Sequence, residues 1–193
     1  MISVPLLKVH HGTGPDLILF WNAMATRPQS VDVIVHLHGY STCQRDKHIH
    51  LSRDTVPRSA LAWSDPEGID PTPARTRPTL GLLPRGRLFG GKTGRGYNFP
   101  ALTTKTGLRE LVKFGLERLA QRLGVPNLSL GRLILTAHSG GGAPLLKILQ
   151  HIDPHEIHVF DGLYQSPNAL IRWVKKRITQ DSNAAEHSWP SAT

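Results

Sequence analysis

The sequence predicts an α/β protein with a mainly parallel central sheet and helices on both faces. Two observations carry that expectation: short, β-branched apolar runs read as buried strands, and these alternate with segments of helical period. At 193 residues the chain suits one domain with a sizeable core, and 39% hydrophobic and 19% charged residues are ordinary for a globular protein. The 18 glycines and 15 prolines add an expectation of many loops. The domain is expected to span residues 1–178, with 179–193 a polar C-terminal tail.

Asp16 to Trp21 reads as a short first strand, entered through Gly12-Thr13-Gly14-Pro15. Val31 to His38 is nearly continuous in β-branched residues and closed by Gly39, which suits a strand buried on both faces. Ser41 to Pro78 is polar and proline-rich, and is expected to hold a short helix or a loop over the site. Thr79 to Pro84 is the next strand, followed by a Gly- and Arg-rich loop reaching Pro100. Leu108, Leu111, Val112, Leu116, Leu119, Ala120 and Leu123 then share one helical face, stopped by Gly124 and Pro126. Arg132 to Ala137 is a further buried strand, Pro144 to Gln150 a helix, Glu156 to Phe160 a strand, and Pro167 to Ile178 a final helix.

Between the Arg132 strand and the next helix stands Ala137-His138-Ser139-Gly140-Gly141. A serine on so sharp a strand-to-helix turn requires small residues two positions away on either side, here Ala137 and Gly141. The turn lifts the hydroxyl clear of the sheet, where backbone amides favour developing negative charge. The second motif, His36-Leu37-His38-Gly39-Tyr40, follows the earlier buried strand.

On these two motifs the chain resembles the α/β-hydrolase superfamily from about Val31 to Trp173. His38-Gly39-Tyr40 is similar to the family's oxyanion loop, and Ala137 to Gly141 to its nucleophile elbow, with Ala137 in place of a first glycine. The resemblance implies a serine hydrolase that attacks an ester or amide through an acyl-enzyme on Ser139, with Tyr40 and Gly140 donating the oxyanion-hole amides. It also implies an order of Ser, then acid, then His, which points to Asp161 and His187. Asp161 has a second reading, as a turn residue with Gly162. His187 lies in the tail, which shows neither of the further strands that the resemblance implies. Either it folds back, or another histidine serves, or the chain is a shortened relative that binds without catalysing. His138 sits on the wrong side of the elbow to serve as its base.

No cofactor or metal is expected. His36-x-His38 and His48-x-His50 put imidazole pairs on extended segments, yet no acidic or cysteine ligand stands beside them, so they read as structural. Gly86 to Thr93 matches the Walker A pattern, but Gly94-Arg95-Gly96 to Pro100 would break the helix that a phosphate cradle needs. The basic loop itself favours an anionic substrate. With 23 Lys+Arg against 14 Asp+Glu the formal net charge is +9. The densest runs, Arg75 to Arg77, Arg85 to Arg95 and Lys175 to Arg177, are not interleaved with aromatics, so they read as solvated surface rather than as a nucleic-acid face. The single Cys43 excludes a disulfide framework within the chain. No apolar run approaches the roughly 20 residues of a membrane span, and Met1 to Lys8 lacks the pattern of a signal peptide, so a cytoplasmic protein is expected.

Overall fold

The structure, a computed structural model, describes residues 17–22, 24, 26–39, 77–84, 86–89 and 96–188. In chain order these form β1 (Leu17–Trp21), β2 (Ser30–Leu37), β3 (Thr79–Pro84), β4 (Arg87–Phe89), β5 (Gly96–Asn98), α1 (Gly107–Leu123), β6 (Ser129–His138), α2 (Gly142–Ile148), β7 (Glu156–Phe160) and α3 (Asn168–Ser188). Five strands make one sheet in the order β1-β3-β2-β6-β7. Its pairs are parallel except β1 with β3.

Burial follows the composition of the strands. Val31 to Leu37 in β2 and all of β3 are buried, as strands covered on both faces must be, while β7 at the edge is only partly covered. Val33, Val35 and Leu37 join Leu80 and Leu82, and Leu133, Leu135 and Ala137, on one side of the sheet. There they meet Leu108, Leu111, Leu116 and Leu119 of α1 and Leu145 and Ile148 of α2. Ile34, Leu83 and Ile134 point the other way and form a smaller cluster. α3 packs on α2 and so lies on the same side. The helices expected on the opposite face are not among the described residues.

Several boundaries differ from those read in the sequence. The loop expected before Pro100 contains a hairpin, β4 with β5, in which Leu88 pairs with Tyr97. Glycine and arginine there conceal it, since neither signals a strand. β6 begins three residues before Arg132, because Ser129 pairs with Ser30 at the polar start of both strands. α3 runs ten residues beyond Ile178, to Ser188. No Gly or Pro interrupts Asn168 to Ser188, and the helix is held near its middle by the hydrogen bonds of Trp173 and Arg177 to the Pro154 carbonyl. The stretch from Ser41 to Thr76 lies outside the described residues.

One polar clamp fixes the register of the central strands. Asp32 on β2, almost wholly buried, accepts hydrogen bonds from the Arg132 backbone N–H at 2.9 Å, from Nε at 3.1 Å and from Nη2 at 3.0 Å. The same guanidinium donates to Glu156 on β7 at 2.6 Å. Burial pushes the Asp32 carboxyl up, but these Arg132 bonds and charge, with Arg77 at 3.6 Å, outweigh it and hold the carboxyl below its ordinary range. Three strands are thereby tied together near their N-terminal ends, so their opposite ends arrive in step.

Candidate active site

Those opposite ends form the site. In register, Leu37 pairs with Ala137, and Ala137 with Val159. Counting onward, Gly39, Ser139 and Asp161 occupy one row across the carboxyl ends of β2, β6 and β7. The sheet also changes direction here: β2 leads to β3 on one side, while β6 leads to β7 on the other. Such a switch point opens a crevice between the two strand ends, which is where open α/β sheets bind ligands.

Ser139 has φ +48°, a left-handed conformation that a side chain with a Cβ adopts at a cost of roughly 1–2 kcal/mol. It stands at the junction between β6 and a single 3-10 turn, Ser139–Gly141, that runs straight into α2. The expected requirement for small neighbours holds at Gly141, where a Cβ would lie 2.0 Å from the Leu37 carbonyl oxygen. Gly142 extends that requirement by one residue, since its Cβ would meet the Gly162 oxygen at 1.8 Å. Ala137, the other small neighbour, is fully buried. Gly140 is the second residue of the turn.

The two motifs meet. A Cβ on Gly39 would lie 2.9 Å from the Ser139 Cβ and 2.7 Å from His138 Nδ1, so only glycine lets the β2 end lie against the elbow. His38 pegs that end in place. Its Nε2 accepts from the Gly86 N–H at 3.1 Å, which leaves the proton on Nδ1 for the Gly39 carbonyl at 2.9 Å. Phe99 meets the same ring edge-on at 5.5 Å. His36 is likewise structural: its Nδ1 lies 2.6 Å from Thr136 Oγ1. Burial, then the nearby His38 and His138, push its ionisation down to about 3, so the ring is neutral near pH 7. Among the described residues no group of three side chains forms a metal cage.

Asp161 follows β7 directly, is exposed, and has φ +44°. Beside it stands Tyr164, which the sequence reading did not single out. Its phenol, 66% exposed, lies close enough to the Asp161 carboxylate and the Ser139 hydroxyl to feel both. Hydrogen bonding to Asp161 pushes the phenol up, desolvation and the carboxylate charge add to this, and Ser139 as donor pulls it down. The only signal in the sequence was its place in the turn after the strand that follows the elbow.

The base side is different. Among the described residues no imidazole hydrogen-bonds Ser139: His155 accepts from the Leu133 N–H, and His158 faces Glu156. His138 is exposed, with its Nδ1 beside Gly39, and makes no hydrogen bond to Ser139. Position 187 lies on α3, ten residues past Arg177, whose guanidinium donates to the Pro154 carbonyl at 2.8 Å. At about 1.5 Å per residue that is roughly 15 Å of further helix. Pro154 precedes β7, at the end of the strand opposite Ser139. Tyr40 lies outside the described residues, as do Lys92 and Thr93. Gly96–Asn98, which a helix opened at Lys92 would run through, is the strand β5.

No protein-family model matches the chain, and no curated protein matches it. Among solved structures it is similar to an acetyl xylan esterase from Paenibacillus sp. R4, at 12% identity and a TM-score of 0.33, over 83% of this chain and 52% of that one. The chain spans about half the length of that structure, and a likeness at this level carries no argument about fold or activity. No helix among the described residues is long and apolar enough to cross a membrane.

Proposed function

We propose that the chain is a serine hydrolase that attacks a small-molecule ester or amide through Ser139. The observation that carries this reading is the left-handed Ser139 at the carboxyl end of the central strand β6, pressed against Gly39 at the sheet's switch point. Backbone strain of this kind persists only where the surrounding structure enforces it, and at strand-to-helix turns it serves to project a nucleophile. Ser139 Oγ would bond to the substrate carbonyl carbon, with the oxyanion taken by the Gly140 and Tyr40 amides. The leaving group departs with a proton, and water then releases the acyl group. Asp161, which follows the adjacent strand in the same row as the serine, would orient the base through its exposed carboxylate. Because no described imidazole hydrogen-bonds Ser139, the base is sought among His10, His11, His48 and His50, beside His187.

The missing imidazole also favours a second reading, a protein that binds at this crevice without turnover. Hydrolysis of short-chain p-nitrophenyl esters separates the two. The hydrolase reading expects turnover that falls by several orders of magnitude in Ser139→Ala with unchanged thermal stability, and in one histidine replacement among those five. Turnover absent from the intact, folded chain across an ester and amide panel supports binding alone.

A further inference from the structure

A second site stands apart from the elbow, and nothing in the hydrolase reading uses it. A groove of about 520 Å³ opens where α1, the segment after α2 and α3 converge, lined by Arg109, His151, Asp153, Arg172, Trp173 and Lys176 among others. Its floor, Leu149 to Asp153, begins beyond the far end of α2, the seven-residue helix that leaves the elbow. The helix alone separates the two by about 10 Å of axial rise.

The charges in this groove do not balance. Asp153, the one carboxylate in its lining, is taken by Lys176 at 2.6 Å. Trp173 is pinned by its indole N–H, which donates to the Pro154 carbonyl at 3.1 Å, and so forms a fixed wall. Arg109 from α1 and Arg172 from α3 have no ion pair or hydrogen bond among the described residues, although they share the cavity. Setting Asp153 against Lys176 leaves the two guanidiniums unopposed. Two like charges held in one groove by separate helices repel, and a bound dianion removes that repulsion. Each guanidinium is a planar fork that matches the oxygens of a phosphate, and two forks from separate helices lining one groove can bind the same phosphate.

We propose that this groove binds a phosphate dianion, either inorganic phosphate or a small phosphomonoester whose organic part lies against Trp173. Binding does not depend on Ser139, so failure of either reading leaves the other standing.

Titration calorimetry on the intact chain tests it, with inorganic phosphate and phenyl phosphate as probes at ionic strength matched with chloride. The expected result is saturable binding of one phosphate per chain, weakened at least tenfold in the Arg109→Gln/Arg172→Gln double variant and several-fold in each single variant. Both side chains are exposed, so the variants should unfold at the wild-type temperature. Tighter binding of phenyl phosphate identifies a monoester as the natural ligand class, and equal or weaker binding identifies the bare anion. Lys92→Ala, in the Walker-like stretch, should leave the affinity unchanged. The proposal is overturned if neither probe saturates, if the double variant binds as the wild type does, or if Lys92→Ala removes the binding.

Discussion

Ser139 and Asp161 each follow the last paired residue of adjacent strands, since His138 pairs with Phe160, and both leave the sheet with positive φ, +48° and +44°. They are the only non-glycine residues with positive φ among the described residues. The packing behind them explains how the conformation is held: Gly142 lies against the Gly162 carbonyl, and Gly162 against that of Ser139, so the two turns lock each other. Aspartate tolerates the left-handed region better than most residues. The cost therefore falls mainly on the serine.

That cost is measurable. Ser139→Gly should be more stable than Ser139→Ala by about 1 kcal/mol, because only glycine adopts this backbone without steric penalty. Urea denaturation midpoints with equal slopes check it. Equal stabilities would mean that the turn holds no strain in solution.

The glycines behind the elbow make a sharper contrast. Gly141→Ala and Gly142→Ala place a Cβ at 2.0 Å and 1.8 Å from carbonyl oxygens, so something in the backbone must move. Each should destabilise by about 3 kcal/mol or more. Gly124→Ala, at the end of α1 with φ +66° and open space around it, should cost only about 1 kcal/mol. Similar losses at all three positions would show that the elbow is not tightly packed.

His36 gives a pH signature. Its ionisation in the folded chain lies at about 3, against an ordinary value of 6.5. Between these limits the unfolded chain binds the proton and the folded chain does not, so acidification favours unfolding. This one residue should remove about 1.4 kcal/mol of stability per pH unit, starting below the ordinary value and continuing toward the lowered one. His36→Asn keeps a polar partner for Thr136 but does not titrate, so its stability profile should be flatter by that slope between about pH 6 and pH 4. Parallel profiles for the two proteins would show that His36 is not buried in neutral form.

Tyr164 reports on the site without any turnover. Difference titration of tyrosinate absorbance against Tyr164→Phe isolates its phenol from Tyr40 and Tyr97. Asp161→Asn should lower its pKa, because the carboxylate that favours the neutral phenol is gone, and Ser139→Ala should raise it, because the phenolate loses a donor. No change in either variant would place the phenol away from both residues.

Much of this was legible in the chain, for identifiable reasons. β2, β3 and the middle of β6 are apolar runs too short for helices, and α1 has a clean period closed by Gly124, so burial alone announced them. The elbow was legible because steric exclusion at Gly141 leaves a mark in residue size. The β4–β5 hairpin was not legible, since each strand is three residues long within a Gly- and Arg-rich stretch, and the length of α3 was hidden because residues 179–188 carry no large apolar side chain. Tyr164 could not be found from spacing, because its relation to Ser139 comes from β7 pairing with β6, a long-range contact. For the same reason no local pattern could say which histidine, if any, reaches the serine.

The central claim is that Ser139 is an activated nucleophile, and covalent labelling tests it most directly. The folded chain, treated with a fluorophosphonate probe and digested for peptide mass spectrometry, should carry one phosphonyl adduct on Ser139, with fluoride leaving the probe as the serine oxygen bonds to phosphorus and releases its proton. Ser139→Ala, folded to the same extent, should carry none. A folded wild-type chain that remains unlabelled at high probe concentration, or that carries its adduct on another residue, would contradict the account.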